Sequence, residues 1–329
     1  MIGSMEESTL PCLVMLENVV GFEMSGQTQS TFKDDEANRQ QRSNHGSFQI
    51  WREVLSKREY HVSHFHLDPT DIGIPNARPR HYSVAFRPGS LHAMIKDVTF
   101  STQLKSLCSL ESRKYDKLFT KENLDEPPII HGRKALGCEP PTLPCIGDFL
   151  DEECELESLK IPKNVWSSSS AWCFDVVTKL HHRSACFTHS YGKFIRGTGS
   201  IMYTGPLETK SDADDIYNNN KKPDKTAEFL AATRFDLEAP EKRIFDADWS
   251  SGIDWDRHMR YLSGNEIARL LGFPVGMSPS KNHLGESFRK FSFPSTVSVK
   301  QQWKLLGNSL NVKVAGKVAE VGIRCLFMQ

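Results

Sequence analysis

Cys12-Leu13-Val14-Met15-Leu16 is a short apolar run without alternation, and it breaks abruptly into Glu17-Asn18-Val19-Val20-Gly21-Phe22. Such a run predicts a strand buried on both faces, the kind found in a parallel sheet. Open α/β sheets bind ligands beyond the carboxyl ends of their strands, so the polar residues at the end of this run are candidate site residues. The alternative is a strand that simply exits into a loop.

Downstream, residues 24–47 are almost wholly polar and predict a solvated loop or disordered insertion. Phe48, Trp51 and Leu55, with Val54 beside them, recur at helical spacing, and His64-Phe65-His66-Leu67 alternates like a strand. The turn at Asp71 to Pro75 leads to a second alternating stretch, Arg80 to Phe86. Residues 1–100 therefore read as strand, helix, strand, turn, strand. Residues 101–258 are irregular, with Pro127-Pro128, Pro140-Pro141 and a charged tract over 208–225 that predicts disorder, so they suggest a loop-rich second domain. Order returns over 259–329. Ser263 and Glu266 have capping-box spacing ahead of Ile267, Leu270 and Leu271, Gly272 and Pro274 stop that helix, and Val314, Val318 and Val321 mark a closing one.

Basic and acidic side chains balance at 41 each, so no global field draws the chain to nucleic acid, and any such binding has to come from particular residues. The longest apolar runs fall far short of the roughly 18 to 20 residues that cross a bilayer. No membrane span or secretory leader is expected. The eight cysteines include no C-x-x-C pair and no dense framework, which fits a reducing compartment, cytoplasm or nucleus. His61, His64 and His66 lie close together, but no cysteine or carboxylate pattern completes a defined set, so no metal is expected.

Two further segments carry chemistry. Pro79 holds Arg78 extended, and residues two apart on an extended chain project the same way, so Arg78 and Arg80 are expected to converge on one carbonyl, carboxylate or phosphate, unless the segment is only a solvated basic turn. Gly307-Asn308-Ser309-Leu310-Asn311-Val312 lies between two helical patterns. Its small polar residues either cap a helix or offer amide and hydroxyl groups to a polar cofactor.

In this order the segments resemble the cytosine-5 methyltransferase family. Leu16 to Glu23 is similar to its E-N-V motif, Ile74 to Arg80 to its R-x-R motif, and Leu306 to Val312 to its closing G-N-S motif. Ala185-Cys186-Phe187-Thr188-His189-Ser190-Tyr191-Gly192 and its continuation to Ser200 resemble the C-F-T signature of the branch whose members methylate tRNA, and Glu266 to Pro274 agrees with that branch. The resemblance implies an α/β fold, part of a doubly wound S-adenosylmethionine-dependent methyltransferase sheet with a second, loop-rich target-recognition domain. It also implies tRNA as partner, with DNA the alternative, and a monomer.

By position the resemblance makes Glu17 the acid that stabilises protonated N3 of cytosine and Arg80 the contact to O2, with Asn18 and Arg78 supporting the base. Asn308 and Ser309 correspond to the methionine end of the cofactor pocket, and Cys186, Phe187, Thr188 and Tyr191 to target recognition. The family's glycine-rich loop and P-P-C-Q nucleophile segment precede E-N-V, whereas sixteen residues precede Glu17 here. The expectation is a chain that keeps the base-binding and target-recognition parts without the nucleophile. Cys12 is read as a core cysteine: five residues from Glu17 along one strand, it would lie roughly 17 Å away on the opposite face. A non-catalytic RNA-binding or regulatory protein is the other reading.

Overall fold

The computed structural model describes residues 2–24, 46–87, 129–131, 143–152, 156–205, 254–276 and 291–327. The charged tract over 208–225 and residues 25–45 of the polar insertion lie outside the described residues. The chain divides into two compact units: residues 1–72, 79–141 and 314–329 form one, and residues 73–78 and 142–313 the other. Of the stretch 259–329, residues 314–329 belong to the first unit and 259–313 to the second.

The first unit is built on a four-stranded sheet in the order β1-β3-β2-β4, with β1 Leu13–Val19, β2 His61–Leu67, β3 Arg80–Phe86 and β4 Ile129–His131. β3 runs antiparallel to both β1 and β2, and β4 is parallel to β2. This corrects the reading of Cys12–Leu16 as a strand buried on both faces of a parallel sheet. β1 is an edge strand among the described residues, its neighbour is antiparallel, and its side chains are half-buried or exposed. An apolar run cannot announce which neighbour it will take.

Alternation along the strands divides the side chains between two faces. Tyr82, Val84 and Phe86 of β3 join Phe65 and Leu67 of β2 under the helix α7, Val312–Phe327, through Val314, Val318, Val321 and Cys325. These positions repeat at helical spacing, and burial of each valine contributes about 1.5 to 3 kcal/mol. Gly322 lets the helix approach, since a Cβ there would stand 2.9 Å from Leu13 and 3.1 Å from Val84. Cys12 packs at the margin of this cluster, half-buried, just ahead of β1. The opposite face carries Val14, Val62 and Ala85 and is covered by α1, Ser47–Lys57, whose Trp51 and Leu55 point inward at the predicted spacing.

The second unit has a three-stranded sheet, β5 Asp175–Val177, β6 Ser200–Tyr203 and β7 Met259–Arg260, with β5 parallel and β7 antiparallel to the central β6. Among the described residues three single-turn helices, α2 Leu156–Leu159, α3 Lys163–Trp166 and α4 Trp255–His258, and two longer ones, α5 Gly264–Leu270 and α6 Val299–Gly307, accompany it. α5 starts where the capping box places it. Ser263 Oγ accepts from the Glu266 amide at 3.1 Å, and the Ser263 amide donates to Glu266 Oε2 at 2.8 Å. Gly272, at φ +79°, and Pro274 come after its end.

Glu266 does more than cap. Its fully buried carboxylate takes a bidentate pair of bonds from Arg260, 2.7 and 2.8 Å, and accepts the Asp151 amide at 3.0 Å. Asp151 in turn pairs with Arg269 at 2.7 Å and accepts the Ser263 hydroxyl at 2.6 Å. Every charge in this buried network has an opposite partner, the condition under which such groups are tolerated in a core. Among the described residues no helix is long and apolar enough to cross a membrane.

Candidate functional site

Glu17 stands on β1 directly opposite Tyr82 of β3, and Arg80 lies two residues from Tyr82 on the same face. This diagonal brings them together: Arg80 Nε is 3.0 Å from Glu17 Oε1, both side chains keeping partial access to solvent. Arg80 also donates to the Pro79 carbonyl at 2.8 Å. A carboxylate and a guanidinium at this separation can address adjacent acceptor and donor atoms on one edge of a planar ring.

Asn18 does not join them. As the next residue on the strand it turns to the other face, opposite His81, and its Oδ1 accepts the Val19 amide at 2.9 Å.

Arg78 does not converge with Arg80 either, which corrects the expectation drawn from their spacing. Arg80 opens β3, whereas Arg78 belongs to the segment 73–78 of the second unit. There its buried guanidinium donates to the carbonyls of Phe187 at 2.8 Å, Gly307 at 3.1 Å and Ser309, and to Cys186 Sγ at 3.3 Å. Those acceptors occupy both terminal nitrogens. Asn76 adds to the same join, donating to Ser184 Oγ at 3.0 Å and to the Ala185 carbonyl at 2.9 Å. Three motifs far apart in sequence are therefore clasped by one arginine, through backbone carbonyls that no residue pattern reveals.

The G-N-S segment forms the end of α6 and the loop after it. Gly307 rests directly on the C-F-T segment: a Cβ at this position would lie 2.1 Å from the Thr188 carbonyl carbon and the His189 nitrogen. Asn308 caps the helix and leaves its side chain exposed. Ser309 donates to the Leu306 carbonyl at 2.7 Å, and the buried Asn311 donates to the Leu270 carbonyl at 3.3 Å. Asn308 thus offers a polar amide from a firmly held loop.

The C-F-T residues divide by burial. Phe187 and Tyr191 are in the core, their rings 5.1 Å apart and edge-on, and Tyr191 stands equally close to Trp303. The Tyr191 hydroxyl donates to the Ser200 carbonyl at 2.6 Å and accepts the Leu262 amide at 3.0 Å, and burial pushes its ionisation well above the ordinary range. Thr188 and Cys186 are half-buried, and the Thr188 amide closes the loop onto the Thr198 carbonyl at 3.0 Å. Beyond this anchor the loop carries exposed His189, Lys193, Phe194 and Arg196, with Lys193 Nζ 5.1 Å from the Phe194 ring centroid. The C-F-T resemblance spans this tip, but the residues it assigns, Cys186, Phe187, Thr188 and Tyr191, lie in the anchor; the aromatic residue between two cations was the legible signal for the tip.

The profile of the family described as C-5 cytosine-specific DNA methylase matches residues 5–324, and the chain belongs to that family, making it an S-adenosylmethionine-dependent methyltransferase by descent. Among curated relatives it is similar to the human tRNA (cytosine(38)-C(5))-methyltransferase, at 26% identity over 95% of this chain and 71% of the relative. It is similar also to the DNA (cytosine-5)-methyltransferase of Dictyostelium discoideum, at 27% identity over 94% of this chain and 65% of the relative. Among solved structures it shares the fold of a Spodoptera frugiperda DNMT2 variant, with a TM-score of 0.52 and 20% identity over 94% of this chain and 66% of that one. The Dnmt2 methyltransferase of S. pombe superposes with a TM-score of 0.50 at 21% identity, over 97% of this chain and 69% of that one.

Proposed function

We propose that this chain serves methyl transfer from S-adenosylmethionine to C5 of a cytosine in tRNA, with Glu17 and Arg80 holding the base. The observation that carries the reading is the 3.0 Å approach of Arg80 to Glu17 on one face of the sheet. N3 and O2 of cytosine are neighbouring atoms on one edge of the ring. A carboxylate holding the proton on N3 and a guanidinium at O2 therefore have to be neighbours too, and they must withdraw electrons from the ring together for C6 to become electrophilic. The base has to leave its stack to be gripped in this way.

The cofactor supplies an electrophilic methyl group. Asn308 fits its methionine end, because an exposed amide can both donate to a carboxylate and accept from an ammonium. The tip of the C-F-T loop fits RNA: Phe194 is 58% exposed and flanked by Lys193 and Arg196, which combines a face for base stacking with charges for phosphate. The name of the human relative supports tRNA over DNA.

A second reading, tRNA binding without turnover, is favoured by the exposed Phe194 between Lys193 and Arg196, a surface that can hold RNA whether or not a methyl group is transferred. Labelled S-adenosylmethionine and tRNA, assayed beside filter binding at several salt concentrations, separate the two. Methyl transfer has label appearing at cytosine C5 and falling at least about a hundredfold in Glu17→Gln. Salt-sensitive binding without label selects the second reading, and neither binding nor label refutes both.

A further inference from the structure

Glu23, His66 and His81 meet beneath α1 from three elements: the 3₁₀ turn Phe22–Met24 just after β1, then β2 and β3. His66 and His81 are direct cross-strand partners, so their rings leave the same face of the sheet. The turn folds Glu23 over them, where the Gly21 amide donates to its Oε2 at 3.1 Å. Glu23 Oε1 lies 3.0 Å from His66 Nε2, and Oε2 lies 3.5 Å from His81 Nδ1. One ligand atom from each residue falls within 4.8 Å of the others.

Neither imidazole nitrogen is aligned as a hydrogen-bond donor to the carboxylate, although both are buried and His81 has no exposed surface. Donor atoms that crowd together with no hydrogen bond between them are free to serve as ligands around a common centre. Zinc bonds of about 2.0 to 2.1 Å in tetrahedral geometry set neighbouring ligand atoms roughly 3.3 Å apart. Each imidazole nitrogen lies near that distance from one carboxylate oxygen, 3.0 Å from Oε1 and 3.5 Å from Oε2, and the three-residue set, within 4.8 Å, would draw in slightly around an ion.

The surroundings support this. Ser83 Oγ lies 3.1 Å from His81 Nε2 and 2.8 Å from His64 Nδ1. With His81 donating from Nε2 to that hydroxyl, and the hydroxyl donating to His64, the Nδ1 lone pair of His81 is left facing the carboxylate. A cation between them resolves that repulsion, and the serine then acts as the outer partner that orients a metal-bound imidazole.

We propose that Glu23, His66 and His81 form a binding site for a single zinc-class divalent metal ion, two imidazoles and one carboxylate with a coordination position left for an exogenous ligand. The set matches the His₂Glu pattern of zinc sites with an open position and differs from the thiolate cages of closed structural sites. The ion would pin the turn that leaves the Glu17 strand to β2 and β3. The site stands independently of the tRNA reading, because it uses none of the residues that reading assigns.

Zinc titrated into the metal-free chain is expected to bind at one equivalent and raise the melting midpoint. X-ray absorption of the zinc-loaded, unsubstituted chain should show nitrogen and oxygen ligands with two imidazoles and no sulfur. His66→Ala and Glu23→Gln, each checked for a cooperative melt, should weaken binding at least about tenfold. Sulfur in the coordination sphere, affinity unchanged in both variants, or no binding at micromolar zinc would each overturn the assignment. The absorption spectrum decides the ligand set even if a variant fails to fold.

Discussion

Arg78→Met separates the two arginines of the R-x-R motif by experiment. The substitution keeps an apolar stem in a 4% exposed position and removes the donors to the carbonyls of Phe187, Gly307 and Ser309. Each carbonyl stranded away from water costs about 1 to 1.5 kcal/mol, so the three together cost about 4 kcal/mol. For a folding unit of this size that corresponds to a fall of roughly 8 to 16 °C in melting midpoint. Arg80→Met should behave differently. Its partner Glu17 keeps 31% of its side chain in solvent, so the pair contributes only about 0.2 to 1 kcal/mol, while cytosine-dependent binding or transfer is lost. Calorimetric melting of both variants beside the tRNA assay is the test. If Arg78→Met melts within about 2 °C of the parent, or Arg80→Met falls as far as Arg78→Met, the division into a clasp and a base contact is wrong.

Glu266→Gln leaves the buried Arg260 guanidinium without its countercharge and should cost about 3 to 5 kcal/mol, read as a lowered urea midpoint. Gly307→Ala forces a methyl group into the backbone at Thr188 and His189, and Gly192→Ala sets one 2.4 Å from the Trp303 ring at φ +74°; both should lose the cooperative melt or much of its midpoint. In alkali, burial raises Tyr261 to about 12 and raises Tyr191 as well, so the folded state holds more protons than the unfolded chain above pH 10. Stability is therefore whole below pH 10 and declines as pH rises toward 12, by about 2 to 3 kcal/mol from Tyr261 alone. Tyrosinate absorbance should appear together with unfolding; ionisation of these tyrosines in a still-folded chain would refute it.

Much of this fold was legible because it is local. The spacing of Phe48, Trp51 and Leu55 marks α1, alternation marks β2 and β3, and Ser263 with Glu266 marks the start of α5. The hidden part depends on which strand lies beside which. β1 reads as an interior strand because its apolar run is the same whether a neighbour covers one side or two. The convergence of Arg78 and Arg80 fails because the chain leaves one unit for the other between them. Glu23, His66 and His81 were invisible as a cluster, since ligand patterns are sought at short spacings and here cross-strand register brings the residues together. Of the candidate site, the Glu17 and Arg80 diagonal can be read from the residues once the register is known. The burial of Phe187 and Tyr191 reflects a packing role that a surface motif conceals.

The sheet face formed by Tyr82, Val84 and Phe86 acquires its covering helix only after the whole second unit has been synthesised, because Val314 comes after that unit in the chain. Closing so long an interval is entropically slow, and until it closes a greasy platform stands open on the nascent polypeptide. Residues 79–86 therefore make this protein a natural client for chaperones that shield apolar surfaces during translation, and variants that weaken α7 should show first as poor yield rather than as altered chemistry.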